Sequence, residues 1–599
     1  MSAVSELTKH DNWRAGPRQN SNDTLKPEEL PNIRDVESLL GSEWTGIFET
    51  DVEFNNDHFI KAMTNLIDNP NINSTVILRA DILRDRKFQL KTNIDENESK
   101  NGNVECKDED NENETYELVK DFTSDNLDKD VIINEIESDD QILMRGINDI
   151  ELRYVPVPKN FKPLVEVVRR VIPRNPSKDY IINQSCMIMR NSKDKSTLVL
   201  YTPHISTAEE IPFYLPPSKS IGILFNENNS KLSIHYLPFD NQNIDVFKQL
   251  EPAERPIRIA YRLLNTSKKH SNGVMTGYQK RVNHDRVVDK QLFQDRYIAL
   301  KQKYAKNLVD NWSEKTDPRK HVFEDIAIAA FLIELWKKIY TSQNEFEFRD
   351  LGCGNGILAY ILMMEGYKGE GIDARERKSW SDYPEHIRLN LKEQVVIPSA
   401  LLRPHPLMLT QNPYLVDNGQ EWKVPIHLKP QHQGTNKTNN KNVQVVECYT
   451  SNQLLNDEKV CITEFPPNTF IIGNHSDELT CWIPLLGYPF MVIPCCSHNL
   501  NGDKARYQVL KQNKTNGGEK GNSRYQGLVD HVEMLASLCG WKVEREMLRI
   551  PSTRNAAVIS YQPSQMIGRS IYEIMAMEGG ASRWVENTLC LMKRPPRDH

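Results

Sequence analysis

The clearest pattern of apolar and polar positions lies in the middle of the chain. Phe346 and Phe348 alternate with polar residues ahead of Leu351, which predicts a short buried strand. A glycine-rich turn follows, and the apolar run over 357–364 predicts a helix. A second short strand then ends on Asp373. Strand, tight loop, helix and strand in this order predict the nucleotide-binding part of an α/β domain.

Further short apolar runs continue this domain towards the C-terminus. Residues 469–472, 490–494 and 556–561 are predicted to be strands, and 529–538 a helix. An extended stretch at 541–550 would complete an antiparallel hairpin with the last strand. We therefore predict a doubly wound, Rossmann-like α/β fold over 346–599.

The N-terminal half shows a different alternation, in which β-rich runs are separated by turn and proline signals. Residues 197–201, 221–225 and 232–237 are predicted strands, and the stretch after Trp44 predicts a strand leading into a helix. We predict a polar tail at 1–35, a mixed α+β domain at 36–250 and a helical bridge at 251–345 that leads into the nucleotide-binding unit.

Two segments lack the apolar density of a core. Residues 93–140 are acidic, and residues 403–444 are rich in Asn, Gln and Pro. The acidic segment is predicted to be an insertion or a mobile loop. A structureless loop as long as 403–444 is unusual inside a compact domain, so that segment is predicted to be a surface insertion.

Composition limits the class of protein. None of the apolar runs in the 599 residues approaches the roughly 18 needed to cross a bilayer, and the N-terminus is too polar for a signal peptide. The ten cysteines include no Cys-x-x-Cys pair, as is typical of a reducing compartment. The sequence therefore predicts a soluble, intracellular protein.

The net charge of −7 hides an uneven distribution. Residues 95–140 contain 18 acidic and 4 basic residues, whereas residues 251–320 contain 16 basic and 8 acidic residues. The basic residues of the second segment include Arg258, Lys269, Lys280 and Arg281. The segment is either a solvated helical face or a surface that binds phosphates.

The glycine loop indicates which nucleotide is bound. Asp350, Gly352, Gly354 and Gly356 form Asp-x-Gly-x-Gly-x-Gly, and Asp373, 17 residues after Gly356, can accept hydrogen bonds from both ribose hydroxyls. This loop resembles motif I of S-adenosylmethionine-dependent methyltransferases rather than the Gly-x-Gly-x-x-Gly of dinucleotide binders. The resemblance implies that the loop wraps the methionine end of the cofactor, with Asp350 orienting its amino group.

A polar run, Asn474 to Glu478, follows the predicted strand at 469–472. One interpretation is a helix cap at Ser476 or Asp477; the other adds contact with the substrate. Methyl transfer to a hydroxyl requires in-line approach and deprotonation of the acceptor. We predict His475 and Asp477 as the catalytic pair, one as base or positioning group and the other as its orienter, with Asn474 beside the cofactor.

The thiols near the polar run are not predicted to bind a metal ion. Cys495, Cys496, His498 and Cys539 are the candidate ligands. Cys495 and Cys496 are adjacent, so their side chains cannot easily point at one ion, and no Cys-x-x-Cys spacing is present. We predict buried thiols and a histidine in the cleft, and no metal site.

Several long passages together resemble the fungal tRNA (uracil-2'-O-)-methyltransferases. They lie at 172–183, 270–285, 310–312, 320–336, 473–479 and 550–555. The resemblance covers most of the chain and implies cytoplasmic methylation of the ribose 2'-hydroxyl of uridine 44 in serine tRNA, with S-adenosyl-L-methionine as donor. It also implies that Asp350 and the three glycines hold the methionine part and that Asp373 holds the ribose.

The residues leave two further classes of function open. A methyltransferase acting on another RNA, on protein or on a small molecule would also need the cofactor loop, but the latter two would give the basic segment no role. A non-catalytic RNA-binding scaffold would not need an intact loop and Asp373. We predict tRNA as the partner, no membrane association and no obligate protein partner.

Overall fold

The computed structural model describes residues 30–90, 116–124, 143–239, 244–278, 284–426, 445–508 and 524–593. The chain divides into two compact units, one comprising residues 1–130 and 139–279 and the other residues 131–138 and 280–599. Both units combine strands with helices, as the sequence predicts.

In the first unit the described strands form one sheet. They run in the order β1-β9-β8-β7-β6-β5-β2-β3, all antiparallel, and β4 pairs in parallel with β6. Their bounds are β1 (Thr45–Asp51), β2 (Ile77–Leu90), β3 (Tyr116–Thr123), β4 (Met144–Arg145), β5 (Lys162–Pro173), β6 (Ile181–Asn191), β7 (Ser196–Pro203), β8 (Ser220–Asn226) and β9 (Lys231–Leu237). The strands predicted at 197–201, 221–225 and 232–237 are confirmed as β7, β8 and β9.

Helices cover one face of this sheet. They are α1 (Asn56–Asp68), α2 (Ile244–Gln249) and α3 (Arg255–Met275), with 3-10 turns at Pro70–Ile72 and Ala208–Glu210. Phe59 of α1 and Leu264 of α3 are buried among alternate strand residues such as Ile188 and Ile234. The intervening strand residues, such as Met187, face a second apolar cluster that contains Trp44. Alternation along the strands thus gives the sheet two buried faces.

Two segments of the N-terminal half are more ordered than predicted. Leu30 of the predicted polar tail is buried, and Asn32 pairs with Phe48. Tyr116–Thr123, inside the predicted acidic insertion, forms β3 and pairs with β2. Its side chains after Tyr116 are exposed, because an edge strand can be held by backbone hydrogen bonds without contributing to a core. The rest of the insertion and residues 1–29 lie outside the described residues.

The second unit contains a seven-stranded sheet of order β12-β11-β10-β17-β18-β20-β19. Pairing is parallel from β12 to β18 and antiparallel in the hairpin β19–β20. The strands of the unit are β10 (Glu347–Leu351), β11 (Gly369–Asp373), β12 (Leu391–Glu393), β13 (Val395–Val396), β14 (Glu421–Ile426), β15 (Val445–Thr450), β16 (Val460–Cys461), β17 (Thr469–Asn474), β18 (Phe490–Ile493), β19 (Glu544–Met547) and β20 (Ala556–Ser560). Two pairs of these strands, β13 with β16 and β14 with β15, form separate two-stranded sheets. The predicted closing hairpin is confirmed.

Helices pack on both faces of this sheet. The helices of the second unit are α4 (Lys290–Asp310), α5 (Pro318–Ile339), α6 (Ile357–Met364), α7 (Glu385–Arg388), α8 (Pro406–Gln411), α9 (Ser451–Leu455), α10 (Arg524–Leu538), α11 (Ile571–Met577) and α12 (Trp584–Lys593). Short 3-10 helices span Lys378–Asp382, Ser399–Leu401, Asp477–Cys481 and Ile483–Leu486. Ile472 faces the cluster that includes α5 and α6, whereas the preceding Ile471 faces the cluster that includes α10.

The predicted insertion at 403–444 is partly structured. It contains α8 and β14, and β14 pairs with β15. Trp422 and Val424 of β14 are buried in a cluster with Val585 and Leu589 of α12. The segment is polar overall, and Trp422 and Val424 are too short an alternation to indicate a strand against that composition. Their side chains are buried on one face of β14. Residues 427–444 lie outside the described residues.

The predicted basic bridge contains the division between the two units. Helix α3 contributes Ile257 to the core of the first unit, whereas α5 contributes Leu332 to the core of the second. The helices of the segment therefore belong to two separate cores. Lys280 and Arg281 lie outside the described residues. Among the described helices, none is long and apolar enough to cross a membrane.

Candidate active site

One cleft in the second unit has a volume of about 970 Å³ and lies at the carboxyl ends of the parallel strands. The loop after β10, Asp373 at the end of β11, the polar run after β17 and Cys495 after β18 all contribute to its lining. On one side of β10 the sheet continues with β11 and then β12, and on its other side with β17 and then β18, so the order of the strands reverses at β10. In an open α/β sheet, this reversal in strand order is where ligands bind.

The glycine loop lines the cleft through its backbone. Gly352 and Gly354 have φ angles of 82° and 55°, in the left-handed region, and both line the cleft. A Cβ atom added at Gly354 would meet nothing within 4 Å, so this backbone is open to a ligand. Gly356, the N-cap of α6, instead lies against Trp380, Tyr383 and Leu391. The structure therefore gives Gly356 a packing position, while Gly352 and Gly354 face the cleft.

Asp373 lies at the end of β11 and is held by the glycine loop. Its Oδ2 atom accepts a hydrogen bond of 2.9 Å from the Gly354 N–H, and its Oδ1 atom accepts one of 3.1 Å from the Arg375 N–H. Burial raises the pKa of Asp373, while Arg377 and these two N–H groups oppose the rise. The carboxylate is thus fixed at the position the sequence predicts for a ribose contact.

A group of buried polar side chains forms the floor of the cleft. Asp350 is 1% exposed, and its Oδ1 atom has no hydrogen-bond partner among the described residues. Asn474 donates from Nδ2 to Asp325 Oδ1 at 3.0 Å, and the Oδ1 atom of Asn474 is likewise buried without a described partner. Burial, and next Asp373, raises the pKa of Asp350 to about 8. Burial, and next Glu324 and Asp350, raises the pKa of Asp325 well above its usual value. Such a site favours a cationic ligand.

The polar run after β17 turns sharply at the cleft. His475 and Asp477 have φ angles of 52° and 45°, which are uncommon for residues with a side chain. The Nε2 atom of His475 lies 2.9 Å from Oε1 of the buried Glu324 on α5. Its other nitrogen, Nδ1, is buried without a hydrogen-bond partner in the described part of the chain. Backbone strain of this kind is concentrated at functional sites.

The predicted pairing of Asp477 with His475 is not what the structure shows. Cys495 donates its thiol proton to Asp477 Oδ1 over 2.8 Å, and the partner of His475 is Glu324. Both residues line the cleft, as predicted, but they make separate contacts.

The capping interpretation of the polar run receives only partial support. Ser476 occupies the N-cap position of the 3-10 helix Asp477–Cys481, but it makes no side-chain cap hydrogen bond. Its Oγ atom is buried and has no partner among the described residues. The predicted helix is therefore present as a 3-10 turn, and capping alone does not explain the run.

Glu324 and Asp325 are site residues that the sequence argument missed. Both lie in the passage Lys320–Trp336, for which the sequence predicts an amphipathic helix and which carries part of the family resemblance. The signal available in the sequence was a pair of adjacent carboxylates directly before the apolar run 326–333. In the structure the two residues are 6% and 8% exposed. Charged residues are rarely buried unless they are paired or functional.

The thiols beside the polar run form a hydrogen-bonded group. The ligand atoms of Asp477, Cys495 and Cys496 lie within 4.8 Å of one another, the one such group of three among the described residues. Burial, and next the hydrogen bond with Asp477, raises the pKa of Cys495, so its thiol keeps its proton. The S–H···O hydrogen bond accounts for the short distance between Cys495 and Asp477. His498, predicted to lie in the cleft, is not among the residues that line it; its backbone oxygen accepts a hydrogen bond from the Cys481 thiol.

Two family models match the chain. Residues 20–281 match a "TRM44-like, N-terminal bet v1-like domain", and residues 287–398 match a "Predicted AdoMet-dependent methyltransferase". Proteins called "tRNA (uracil-O(2)-)-methyltransferase" from Debaryomyces hansenii and Kluyveromyces lactis are 50% and 51% identical to the chain. Each alignment covers 94% of this chain, with 97% and 98% of the respective relative. The chain belongs to this family.

The Saccharomyces cerevisiae protein of the same name is 48% identical over 94% of this chain and 95% of its own length. No solved structure matches the chain. The methyltransferase match covers the glycine loop, Asp373, Glu324 and Asp325, whereas the polar run after β17 lies beyond it. Membership of the family and the matched domain identify S-adenosyl-L-methionine as the cofactor.

The residues of the cleft fit this cofactor. Its methionine ammonium group and its sulfonium are cationic, and a cation favours ionisation of the buried carboxyl groups of Asp325 and Asp350. The Oδ1 atom of Asp350 has no partner among the described residues. The open backbone at Gly354 and the fixed carboxylate of Asp373 suit an adenosine ribose.

Proposed function

We propose that the protein is an S-adenosyl-L-methionine-dependent tRNA methyltransferase that modifies the ribose 2'-hydroxyl of uridine 44 in serine tRNA. The single observation that carries the proposal is that the cofactor loop, Asp373 and the pair His475–Glu324 line one cleft. The relatives' shared name, tRNA (uracil-O(2)-)-methyltransferase, supports tRNA as the substrate and an oxygen of a uracil nucleotide as the methyl acceptor.

The fold supports the same assignment. We place the second unit in the doubly wound, Rossmann-like class, because β10, β11, β12, β17 and β18 are parallel and both faces of the sheet are covered. The hairpin β19–β20 then extends one edge of the sheet.

The cofactor would be held by side chains from several strands and one helix. We assign Asp350, Asp325 and Asn474 to the methionine ammonium, the Gly352–Gly354 backbone to close contact, and Asp373 to the ribose hydroxyls. The bound cofactor supplies an electrophilic methyl group, so the protein itself needs no nucleophile. Its tasks are to orient the acceptor and to exclude water.

His475 is the group best placed to assist the acceptor hydroxyl. A ribose hydroxyl is a weak nucleophile near neutral pH, and a positioned base typically contributes about 10²- to 10⁴-fold. Glu324 fixes the His475 ring through Nε2, which leaves Nδ1 as the ring nitrogen without a described partner. Asp477 lines the same cleft and is assigned a contact with the acceptor nucleotide.

We further propose cytoplasmic action on tRNA without an obligate protein partner. The nine cysteines in the described part of the chain are free thiols, which is typical of a reducing compartment. The exposed basic residues of α3, such as Arg258 and Lys269, would contact tRNA phosphates.

The test is methylation of defined RNA. The purified full-length protein is incubated with methyl-labelled S-adenosyl-L-methionine and a serine tRNA transcript, and the modified nucleotide is mapped by resistance of the 3' phosphodiester to alkaline cleavage. The expected result is one resistant bond at uridine 44. A transcript with 2'-deoxyuridine at that position is the matched control and should accept no label. Label in the deoxy control would place the methyl group on another atom and overturn the proposal, as would absence of transfer to any tRNA.

A further inference from the structure

Four side chains of the C-terminal helix α12 line the active-site cleft. They are Trp584, Asn587, Thr588 and Leu591. The spacing i, i+3, i+4, i+7 places them on one face of the helix. This stretch lies outside the residues that match the methyltransferase model, 287–398, and no functional role follows for it from the family comparison.

The helix is fixed on its other sides. Val585 and Leu589 are each 1% exposed and are packed in a cluster with Trp422. The Trp584 Nε1–H donates to the Val396 carbonyl at 3.1 Å, and Asn587 Nδ2 donates to the Asn501 carbonyl at 2.8 Å. Because core packing and hydrogen bonds both hold the helix, its cleft face is preorganised.

This face belongs to the part of the cleft next to Asp373. The Arg375 N–H donates to Asp373 Oδ1 at 3.1 Å, and the Arg375 guanidinium donates to the Leu591 carbonyl at 3.3 Å. Val396, whose carbonyl accepts the hydrogen bond from Trp584, also lines the cleft. The α12 face therefore continues the wall that begins at the predicted ribose contact.

The chemistry of the wall fits a flat heterocycle with a polar edge. Trp584 and Leu591, with Val396 and the neighbouring Val395, provide apolar surface. The Asn587 amide and the Thr588 hydroxyl provide hydrogen-bonding groups, and Thr588 is 5% exposed. Apolar lining with a few placed polar groups is typical of sites for small aromatic ligands.

We propose that the cleft face of α12 binds the adenine ring of S-adenosyl-L-methionine. The inference rests on the placement of the cofactor ribose at Asp373 proposed above. It assigns the adenine end to a helix at the far end of the chain, so the complete cofactor site requires residues up to Leu591. Truncation before α12 would remove both the wall and the packing of Val585 and Leu589.

The test is calorimetric titration of the full-length protein, without RNA, using two ligands. S-adenosylhomocysteine contains the adenosine and amino-acid parts, whereas 5'-methylthioadenosine lacks the amino-acid part. Asn587→Ala and Leu591→Ala should each weaken both ligands by a similar factor, roughly three- to tenfold. The nearly isosteric Thr588→Val should weaken both ligands as well. Asp350→Asn should weaken S-adenosylhomocysteine more than methylthioadenosine, because it acts at the other end.

The matched control is Glu586→Ala on the same helix, since Glu586 does not line the cleft. It should leave both affinities unchanged, and thermal melting checks that each variant folds. Unchanged binding of both ligands in folded Asn587→Ala and Leu591→Ala would overturn the inference. So would a loss confined to S-adenosylhomocysteine, or an equal loss in Glu586→Ala. Failure of the wild type to methylate tRNA, with these binding effects intact, would overturn the proposed substrate and support the adenine site.

Discussion

The Nε2 atom of His475 lies 2.9 Å from the Oε1 atom of Glu324, although the two residues are 151 positions apart in the chain. Glu324 is 6% exposed and lies on α5, whereas His475 follows β17 at the carboxyl end of the sheet. A buried carboxylate that accepts from one ring nitrogen selects the tautomer in which that nitrogen carries the proton. The other nitrogen, Nδ1, is then the acceptor of the ring and has no partner among the described residues.

The first prediction concerns this pair. Glu324→Ala should lower the single-turnover rate of tRNA methylation by about 10²-fold, since His475 loses its orientation. Glu324→Gln, which can still accept a hydrogen bond, should lose less. Affinity for S-adenosylhomocysteine, measured by calorimetry, should stay within about threefold of wild type in both variants.

A double-mutant cycle separates this role from a general structural one. If Glu324 acts through His475, the double variant Glu324→Ala, His475→Ala should be no slower than His475→Ala alone. Additive losses would show that Glu324 contributes independently, and a wild-type rate in Glu324→Ala would remove the pair from the mechanism.

The second prediction concerns the Cys495 thiol. Burial, and next the hydrogen bond and charge of Asp477, raises the pKa of Cys495, and burial also raises that of Cys496. Because the thiolate is the reactive form, Cys495 should react slowly with iodoacetamide at pH 8. Asp477→Asn removes one cause of the raised pKa and should speed alkylation severalfold.

The readout is the rate of mass increase of the peptide that contains both thiols, and Cys448 serves as the internal reference because it is exposed. An unchanged alkylation rate in Asp477→Asn, with the Cys448 rate also unchanged, would mean that burial alone controls the thiol.

Local patterns were sufficient to predict the strand ends that meet at the cleft. Asp373 and His475 each follow a short apolar strand, and parallel strands deliver their carboxyl ends to one edge of the sheet. Asp350 and the glycine loop were predicted for the same reason. These predictions needed only the position of each strand and the residue at which it ends, and both are indicated by patterns of a few residues.

The partners of these residues were not predictable in the same way. Glu324 of α5 contacts His475 at a separation of 151 positions in the chain, and Asp477 contacts Cys495 at a separation of 18. Likewise, α12 reaches the cleft because Trp422 of a segment interpreted as an insertion packs against it. Contacts of such long sequence separation are set by tertiary packing rather than by local pattern.

The third prediction concerns tRNA binding by α3 of the first unit. Arg258 and Lys269 are exposed on this helix, and neither forms an ion pair with a described residue. Changing both to Ala should weaken tRNA binding and reduce the slope of log K against log salt by up to about one unit per lost phosphate contact. Filter binding at several salt concentrations gives both quantities.

Lys248→Ala is the control for charge. Lys248 and Asp245 both lie on the neighbouring helix α2, where Lys248 Nζ is 3.9 Å from Asp245 Oδ1, so this lysine is already paired. It should change neither quantity measurably. A loss of affinity at constant salt slope would exclude phosphate contact, and the absence of any effect would favour the solvated-face interpretation of the basic segment.

The last prediction follows from the buried carboxyl group of Asp350. Burial, and next the charge of Asp373, raises its pKa to about 8, so the group is protonated near neutral pH in the free protein. A cationic ligand group favours the ionised carboxylate. Binding of S-adenosyl-L-methionine at pH 6.5 should therefore release up to about one proton, measured as the dependence of the calorimetric heat on buffer ionisation enthalpy.

Asp350→Asn provides the matched test, because it keeps the size of the side chain and removes the titrating group. It should abolish most of the proton release and weaken cofactor binding.

The same variant should raise the stability of the free protein at alkaline pH. A carboxyl whose pKa is raised on folding stabilises the protein below its unfolded pKa and loses that contribution as pH rises towards about 8. The variant, which has no such loss, should therefore melt at a higher temperature than wild type at pH 8.5. Identical heats in all buffers for the wild type would show that Asp350 is already ionised before the cofactor binds, and the carboxylate would then need a cation from the protein itself.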